Sequence, residues 1–298
     1  MRLISNLLAV SSVCFGLSAV AQNNTNSSDT QCPRIIEDLQ EGDVSFNATG
    51  TTSFSLLEQD DWHLSMTFQF RLARNTTTVK DVSSLGEHAV FLSVPESFPE
   101  TTRGKDIELC YYEMDPVNAT SDSDSGDSND SDATCDGILS EECQEALRSA
   151  PRPRDGDCPD VDVKEACGRP MRLWTSKPFN LSQQDCTLGG LPQVDIPDDY
   201  QTQSVMWQGK ILSPAEEEFL DSYDLLVRQP FPVLITARLP GDQNGAAEIA
   251  CLATKNISEG SRVPQSDFPP SGATYLDVKG GLTYLVVLSC FTGYILAL

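Results

Sequence analysis

The clearest pattern along the chain is the strict alternation over residues 62–72. Trp62, Leu64, Met66, Phe68, Phe70 and Leu72 are apolar, while His63, Ser65, Thr67, Gln69 and Arg71 are polar. A period of two turns successive side chains to opposite faces, so this stretch predicts a β-strand with one buried and one wet face. Val44, Phe46 and Ala48 alternate in the same way with Ser45, Asn47 and Thr49, which puts Asn47 on the wet side. Residues 52–57, 89–94 and 107–114 bring the total to about five strands within 42–115. The last two are apolar on both faces, so they are expected inside a sheet rather than at its edge.

The pattern stops at residues 116–134, whose centre, SDSDSGDSNDSD, has neither an apolar nor a basic residue. Such a stretch cannot bury enough surface to order itself, and it reads as a disordered acidic loop. Residues 135–171 follow with Cys135, Cys143, Cys158 and Cys167. A short helix is predicted over 140–149, with Ser140 as N-cap and Glu141 and Glu142 in the first turn, where the helix dipole favours acids. The Pro/Arg/Gly/Asp run at 151–159 ends it. This segment holds too few large apolar residues for a core of its own, so disulfides would have to hold it.

A second ordered region spans 172–263. Ser213 and Glu216 form a capping box with Pro214 at the first helical position, predicting a helix over 214–227 with Phe219, Leu220, Tyr223 and Leu226 on one face. Strands over 231–239 and 247–254 flank GDQNGA, a hairpin loop. An echo between the halves of the chain sets Cys110 and Cys251 mid-strand in comparable strands. The expected fold is therefore mainly β: an antiparallel β-sandwich-like ectodomain built from 42–115 and 172–263, with a small disulfide-held, partly helical insertion between.

The two ends change the picture. Residues 1–21 read as a signal peptide: Arg2 gives a positive start, 3–17 are mostly apolar, and Ala19-Val20-Ala21 is a small-x-small cleavage site. Residues 22–41 then read as a disordered, glycosylated leader containing the first cysteine, Cys32. At the other end, residues 282–298 are apolar and uncharged. Before them lie a linker over 264–281, the small residues Ser271, Gly272 and Ala273, and the polar spacer TYLDVKGG. Small residues, polar spacer and apolar tail, in that order, make a glycosylphosphatidylinositol (GPI) signal with the lipid on Ser271 or Gly272. The competing reading is a retained transmembrane helix, but a tail of 17 residues is at the short limit for a span, and no Lys or Arg follows it.

Composition agrees with a secreted chain. Setting Cys14 and Cys290 aside with the two signals leaves Cys32, Cys110, Cys135, Cys143, Cys158, Cys167, Cys186 and Cys251, an even set suited to a disulfide framework of open connectivity. Asn23, Asn26, Asn47, Asn75, Asn118, Asn129, Asn180 and Asn256 each begin an N-x-S/T sequon, which marks them as glycosylation sites on the surface. The net charge of −24, with no cluster of Lys or Arg, argues against nucleic acid as a partner.

Catalytic motifs are scarce. Only His63 and His88 offer imidazole chemistry, and His63 is expected to face water beside Asp60 and Asp61 as an ordinary strand residue. Asp124-Ser125-Gly126 spells an aspartic-protease tripeptide, but it lies in the acidic run without flanking apolar strands. Asp122, Asp124, Asp127 and Asp130 are dense calcium-type ligands, yet Gly126 and Ala133 stand where an EF-hand loop needs other spacing. No cofactor and no metal site follows from these residues. A glycosidase carboxylate pair has no residue to name it among so many acids. Trp174, Trp207, Tyr111 and Tyr112 are candidate sugar platforms but read first as core residues, and Trp62 belongs to the apolar face of its strand.

Taken together, the signal peptide, sequons, paired cysteines, Ser/Asp spacer and ω-site tail resemble GPI-anchored cell-surface glycoproteins of filamentous fungi. The cysteine spacing lacks the adjacent doublets of hydrophobins and the C-x-C of the eight-cysteine extracellular haem-binding domains, so no functional residue carries over. The resemblance implies a lipid-anchored, non-catalytic surface protein with a cell-wall structural or glycan-binding role. The alternatives are an extracellular glycan-active hydrolase, or the same ectodomain on a transmembrane helix.

Overall fold

The computed structural model describes residues 34–264 except 58, 72–83, 115–134, 182–185, 213–222, 225, 240 and 242–244, and only the backbone of 59–61, 71, 84–85 and 209–212. In chain order the elements are α1 (Arg34–Glu41), β1 (Ala48–Leu56), β2 (Gln59–Arg71), β3 (Ser84–Pro95), β4 (Glu108–Met114), α2 (Glu141–Arg148) and α3 (Lys164–Cys167). They continue with β5 (Met171–Leu173), β6 (Tyr200–Leu212), β7 (Phe231–Arg238), β8 (Ala246–Leu252) and β9 (Asn256–Ile257). Two antiparallel sheets result, one in the order β6-β3-β2-β1-β9 and the other β5-β4-β7-β8. The fold is mainly β and sandwich-like, as the alternation predicts.

Strand parity explains the core. Trp62, Leu64, Met66 and Phe68 of β2 and Val90, Leu92 and Val94 of β3 meet Leu109 and Tyr111 of β4 and Phe231, Val233 and Ile235 of β7 between the sheets. The doubly apolar strands β3 and β4 both lie inside their sheets. Cys110 on β4 and Cys251 on β8 occupy strands that flank β7, in keeping with the echo between the two halves. Gly50 permits the crossing from one sheet to the other: a Cβ there would lie 1.8 Å from the Ala253 carbonyl oxygen, on the segment that carries the chain from β8 to β9.

Several expectations are corrected. The runs at 44–49 and 52–57 do not form two strands; one strand, β1, takes in Ala48 and Thr49 of the first and all but the last residue of the second. Residues 34–41 of the expected leader are a helix, α1, whose Ile36 and Leu39 are buried. The polar face of β2 is not wet either. Ile36 and Leu39, with Val44, Phe46, Leu188 and Leu191, cover the outer face of the first sheet against Ala89 and Phe91. Ser65, Thr67 and Gln69 are consequently buried. They tolerate this because small polar groups find partners: the hydroxyls of Thr51 and Ser65 lie 3.1 Å apart, and Gln69 Nε2 donates to the Ser45 carbonyl.

The second sheet is covered by the Cys-rich insertion. Helix α2 starts where Ser140 caps it, its Oγ accepting from the Cys143 N–H at 3.3 Å. Cys110–Cys158 ties the insertion to β4, Cys135–Cys251 ties it to β8, and Cys143–Cys167 joins α2 to α3. Cys186 is also disulfide-bonded, while Cys32 lies outside the described residues. The insertion is not held by bridges alone: Leu139, Leu147, Val161 and Val163 pack against Leu234 and Ile249.

The hairpin at 231–252 forms as expected, with Phe231 opposite Leu252. Of the expected helix at 214–227, residues 223–224 and 226–227 are helical, and the capping box at Ser213 and Glu216 lies outside the described residues, as do Phe219 and Leu220. The residues of the expected acidic loop, signal peptide and C-terminal tail lie outside them too. Among the described residues no helix is long and apolar enough to cross a membrane.

Candidate functional site

One end of the sandwich gathers the chemistry. There β2 ends, β3 and β7 begin, and β4 ends. Parity turns His88 of β3 and Glu113 of β4 inward, each from its own sheet. His88 Nε2 lies 3.5 Å from Glu113 Oε1, with side chains 11% and 6% exposed. The contact is at ion-pair distance without hydrogen-bond geometry, and His88 Nε2 has no hydrogen-bond partner among the described residues. On the other oxygen, the Tyr111 hydroxyl donates to Glu113 Oε2 at 3.0 Å. Phe68 and Phe231 lie against the imidazole, with ring centroids 5.5 and 5.6 Å away. Burial, reinforced by the neighbouring Glu113 carboxylate, holds the Tyr111 hydroxyl well above its usual pKa. Tyr111 therefore stays a hydrogen-bond donor at any physiological pH.

Two clefts open nearby, and neither is lined by any of the three residues. A second buried acid, Asp224, is held by Arg262 through two bonds of 2.8 and 2.7 Å. Glu113 and Asp224 are thus each engaged with their own partners, an arrangement unlike two carboxylates facing across a groove.

The more open feature is a polar cleft of about 320 Å³ around Asn47. Asn47 directly precedes β1, and its side-chain amide works at both ends. Oδ1 accepts from the Phe70 N–H at 2.6 Å, and Nδ2 donates to Ser261 Oγ at 3.2 Å. Gln193 lines the same cleft, with its Oε1 accepting from the Phe46 N–H and its carbonyl from the Thr49 hydroxyl. These bonds keep Gln193 at φ +64, in the left-handed region that a side chain normally avoids.

The residues singled out from sequence fall in different places. Asn256 is exposed at the start of the edge strand β9, but Asn47 and Asn180 are half-buried. Asn47 thus departs from the wet-side expectation, because the turn at 258–261 folds back over it. Asn23, Asn26, Asn75, Asn118 and Asn129 lie outside the described residues, as do Ser271, Gly272 and the calcium-type aspartates. His63 is half-buried against the Tyr200 ring at 5.1 Å rather than facing water. Trp62, Tyr111 and Tyr112 are core residues and Trp174 is packed against the core, whereas Trp207 is 52% exposed on the edge strand β6. Among the described residues no group of three or more His, Cys, Asp or Glu could hold a metal.

Sequence reasoning missed Glu113. The signal was present, since it is the charged residue set within an otherwise apolar run, LCYYEM. A buried charge needs partners, which makes such a position worth pairing with the scarce histidines. Comparison with protein families, characterised proteins and solved structures finds no match to this chain. The functional reading therefore rests on its own residues.

Proposed function

We propose that the chain is a GPI-anchored extracellular surface glycoprotein, lipid-linked at Ser271 or Gly272, with a non-catalytic role in spacing or binding cell-wall polysaccharide. The observation that carries the reading is the state of the cysteines. Cys110, Cys135, Cys143, Cys158, Cys167, Cys186 and Cys251 are all disulfide-bonded. Structural bridges of this density belong to oxidising compartments. The net charge of −24 suits a hydrated, self-repelling coat better than an adhesive for anionic polymers.

The test of anchoring is release from membranes by a phosphatidylinositol-specific phospholipase C. The protein is expected in the soluble fraction after treatment, with no peptide from 282–298 in its digest. Retention on the membrane together with detection of that peptide would sink the GPI reading in favour of a transmembrane helix. Binding is tested on an array of fungal-type and plant-type wall glycans, where sustained absence of binding leaves only the spacing role.

A further inference from the structure

We propose that Asn47 carries an N-linked glycan whose first sugar is seated in the polar cleft, so that this glycan is part of the fold rather than a free surface decoration. The proposal rests on the secretory reading above and adds to it a site, an occupant and a protected bond.

The bonding of the Asn47 amide is the first argument. N-glycosylation removes one of the two protons on Nδ2 and leaves the carbonyl and one N–H. Those are the two groups the fold uses, Oδ1 toward Phe70 N–H and one N–H toward Ser261 Oγ. The clamp therefore survives modification. In the transfer, the Nδ2–C1 bond forms while the bond from C1 to the oxygen of a polyprenyl-diphosphate oligosaccharide donor breaks. The diphosphate leaves with the electron pair, and the amide proton passes to a base.

The second argument is space and chemistry. The cleft that Asn47 lines has a volume of about 320 Å³, and small-ligand sites run from about 300 to 1,000 Å³. Its walls are what a pyranose needs. Gln69 spends its Nε2 on the Ser45 carbonyl and Gln193 spends its Oε1 on the Phe46 N–H, so each amide is fixed in place with its other end left for a ligand. Asp43 and Glu259 add acceptors for sugar hydroxyls, and Phe70 adds an apolar surface. Groups already oriented by the protein bind without paying again for order. The left-handed backbone of Gln193 is a strain the fold retains at this wall.

The third argument concerns timing. The sequon's threonine, Thr49, is 2% exposed, and Ala48 between the two is fully buried. No transferring enzyme reaches that hydroxyl in the folded protein, so the sugar is added to the unfolded chain and enclosed as 258–261 closes over it.

The experiment uses the intact secreted protein and peptide:N-glycosidase F, with site-resolved mass spectrometry of the Asn-to-Asp conversion. Asn256, exposed on β9, serves as the internal control. In the native protein, release at Asn47 is expected to be ~10-fold slower than at Asn256 or more, because the scissile bond is reached only through local opening. After denaturation the two rates converge. Gln193→Ala should bring the native rate at Asn47 toward that of Asn256 without changing Asn256; if this variant fails to fold, the native-against-denatured comparison decides alone. Equal native rates overturn the proposal, as does an unmodified Asn47 beside a modified Asn256, and both leave the secretory reading standing. Absence of glycan from every sequon overturns both.

Discussion

The two sheets of the sandwich are each covered on the outside, by different means. Over the first sheet, Ile36, Leu39, Leu188 and Leu191 lie on Ala89 and Phe91 in apolar contact, and Cys186, two residues before Leu188, adds one disulfide-bonded position. Over the second sheet the insertion brings smaller apolar residues and three disulfides, two of which run directly into β4 and β8. An outer sheet face that carries large apolar side chains, such as Phe91 on the first sheet, demands a cover. Where the covering segment has more large side chains, burial carries more of the cover; where it has fewer, covalent bonds that restrict the unfolded chain carry more.

The largest expected effect comes from cutting the longer tie. Replacing Cys135 and Cys251 by Ala opens a bridge with a sequence separation of 116. Chain entropy puts the loss at about 4–5 kcal/mol. Urea unfolding measures it, and limited proteolysis should cut within 135–171 while α1 stays protected. A loss below about 1 kcal/mol would mean that the cap is held by contact after all, and the contrast between the covers would fall.

Ile36→Ala is the matching test on the other side. Ile36 is fully buried, and such a truncation costs about 2–4 kcal/mol. Hydrogen exchange should rise over 34–46 and remain unchanged in the cap. Equal loosening of both covers would show them to be coupled through the core.

Tyr112 gives a smaller effect and a pH signature. It points away from Tyr111, into the cap, where its hydroxyl donates to the Pro159 carbonyl at 2.8 Å. Tyr112→Phe is expected to cost about 1 kcal/mol at neutral pH. Burial pushes the Tyr112 hydroxyl up to about 12 from 10.0, and Tyr111 is shifted the same way. A raised folded pKa means that the native state keeps its proton longer than the unfolded chain. Its stabilising effect is therefore complete below pH 10 and is lost as pH climbs through about 12. Denaturation midpoints between these limits should fall for the wild type and fall less for Tyr112→Phe. An unchanged slope in the variant would remove Tyr112 from that linkage.

The smallest effect belongs to the cap of α2. Ser140→Ala removes the acceptor for the Cys143 N–H and should cost about 1 kcal/mol. Because Cys143 remains bonded to Cys167, the helix should fray at its first turn without leaving the sheet.

Much of the fold was legible because it depends on local periodicity. The alternation over 62–72 identified β2 and its inward residues, the doubly apolar runs identified β3 and β4 as interior strands, and Ser140 identified the start of α2. Helix α1 escaped because its eight residues follow a polar, sequon-rich stretch; the signal was Ile36 and Leu39 three positions apart with no Pro or Gly between them. The wet face of β2 was misjudged for another reason. Polar character shows that a residue can face water, and Ser65 and Thr67 face other protein groups equally well once their hydroxyls are paired.

The candidate site was least legible. His88, Glu113 and Tyr111 come from strands of opposite sheets, and Asn47, Gln193 and Ser261 meet only because distant turns close on the start of β1.

Sequence alone settled which residues point the same way and where a helix begins. Tertiary structure decided which cysteines bond, that both outer faces are covered, and that a sequon asparagine sits in a cleft. The reason is range. Side-chain direction follows from dihedral angles over a few residues, whereas disulfide pairing, a buried His–Glu contact and a cleft depend on which surfaces meet when the whole core packs.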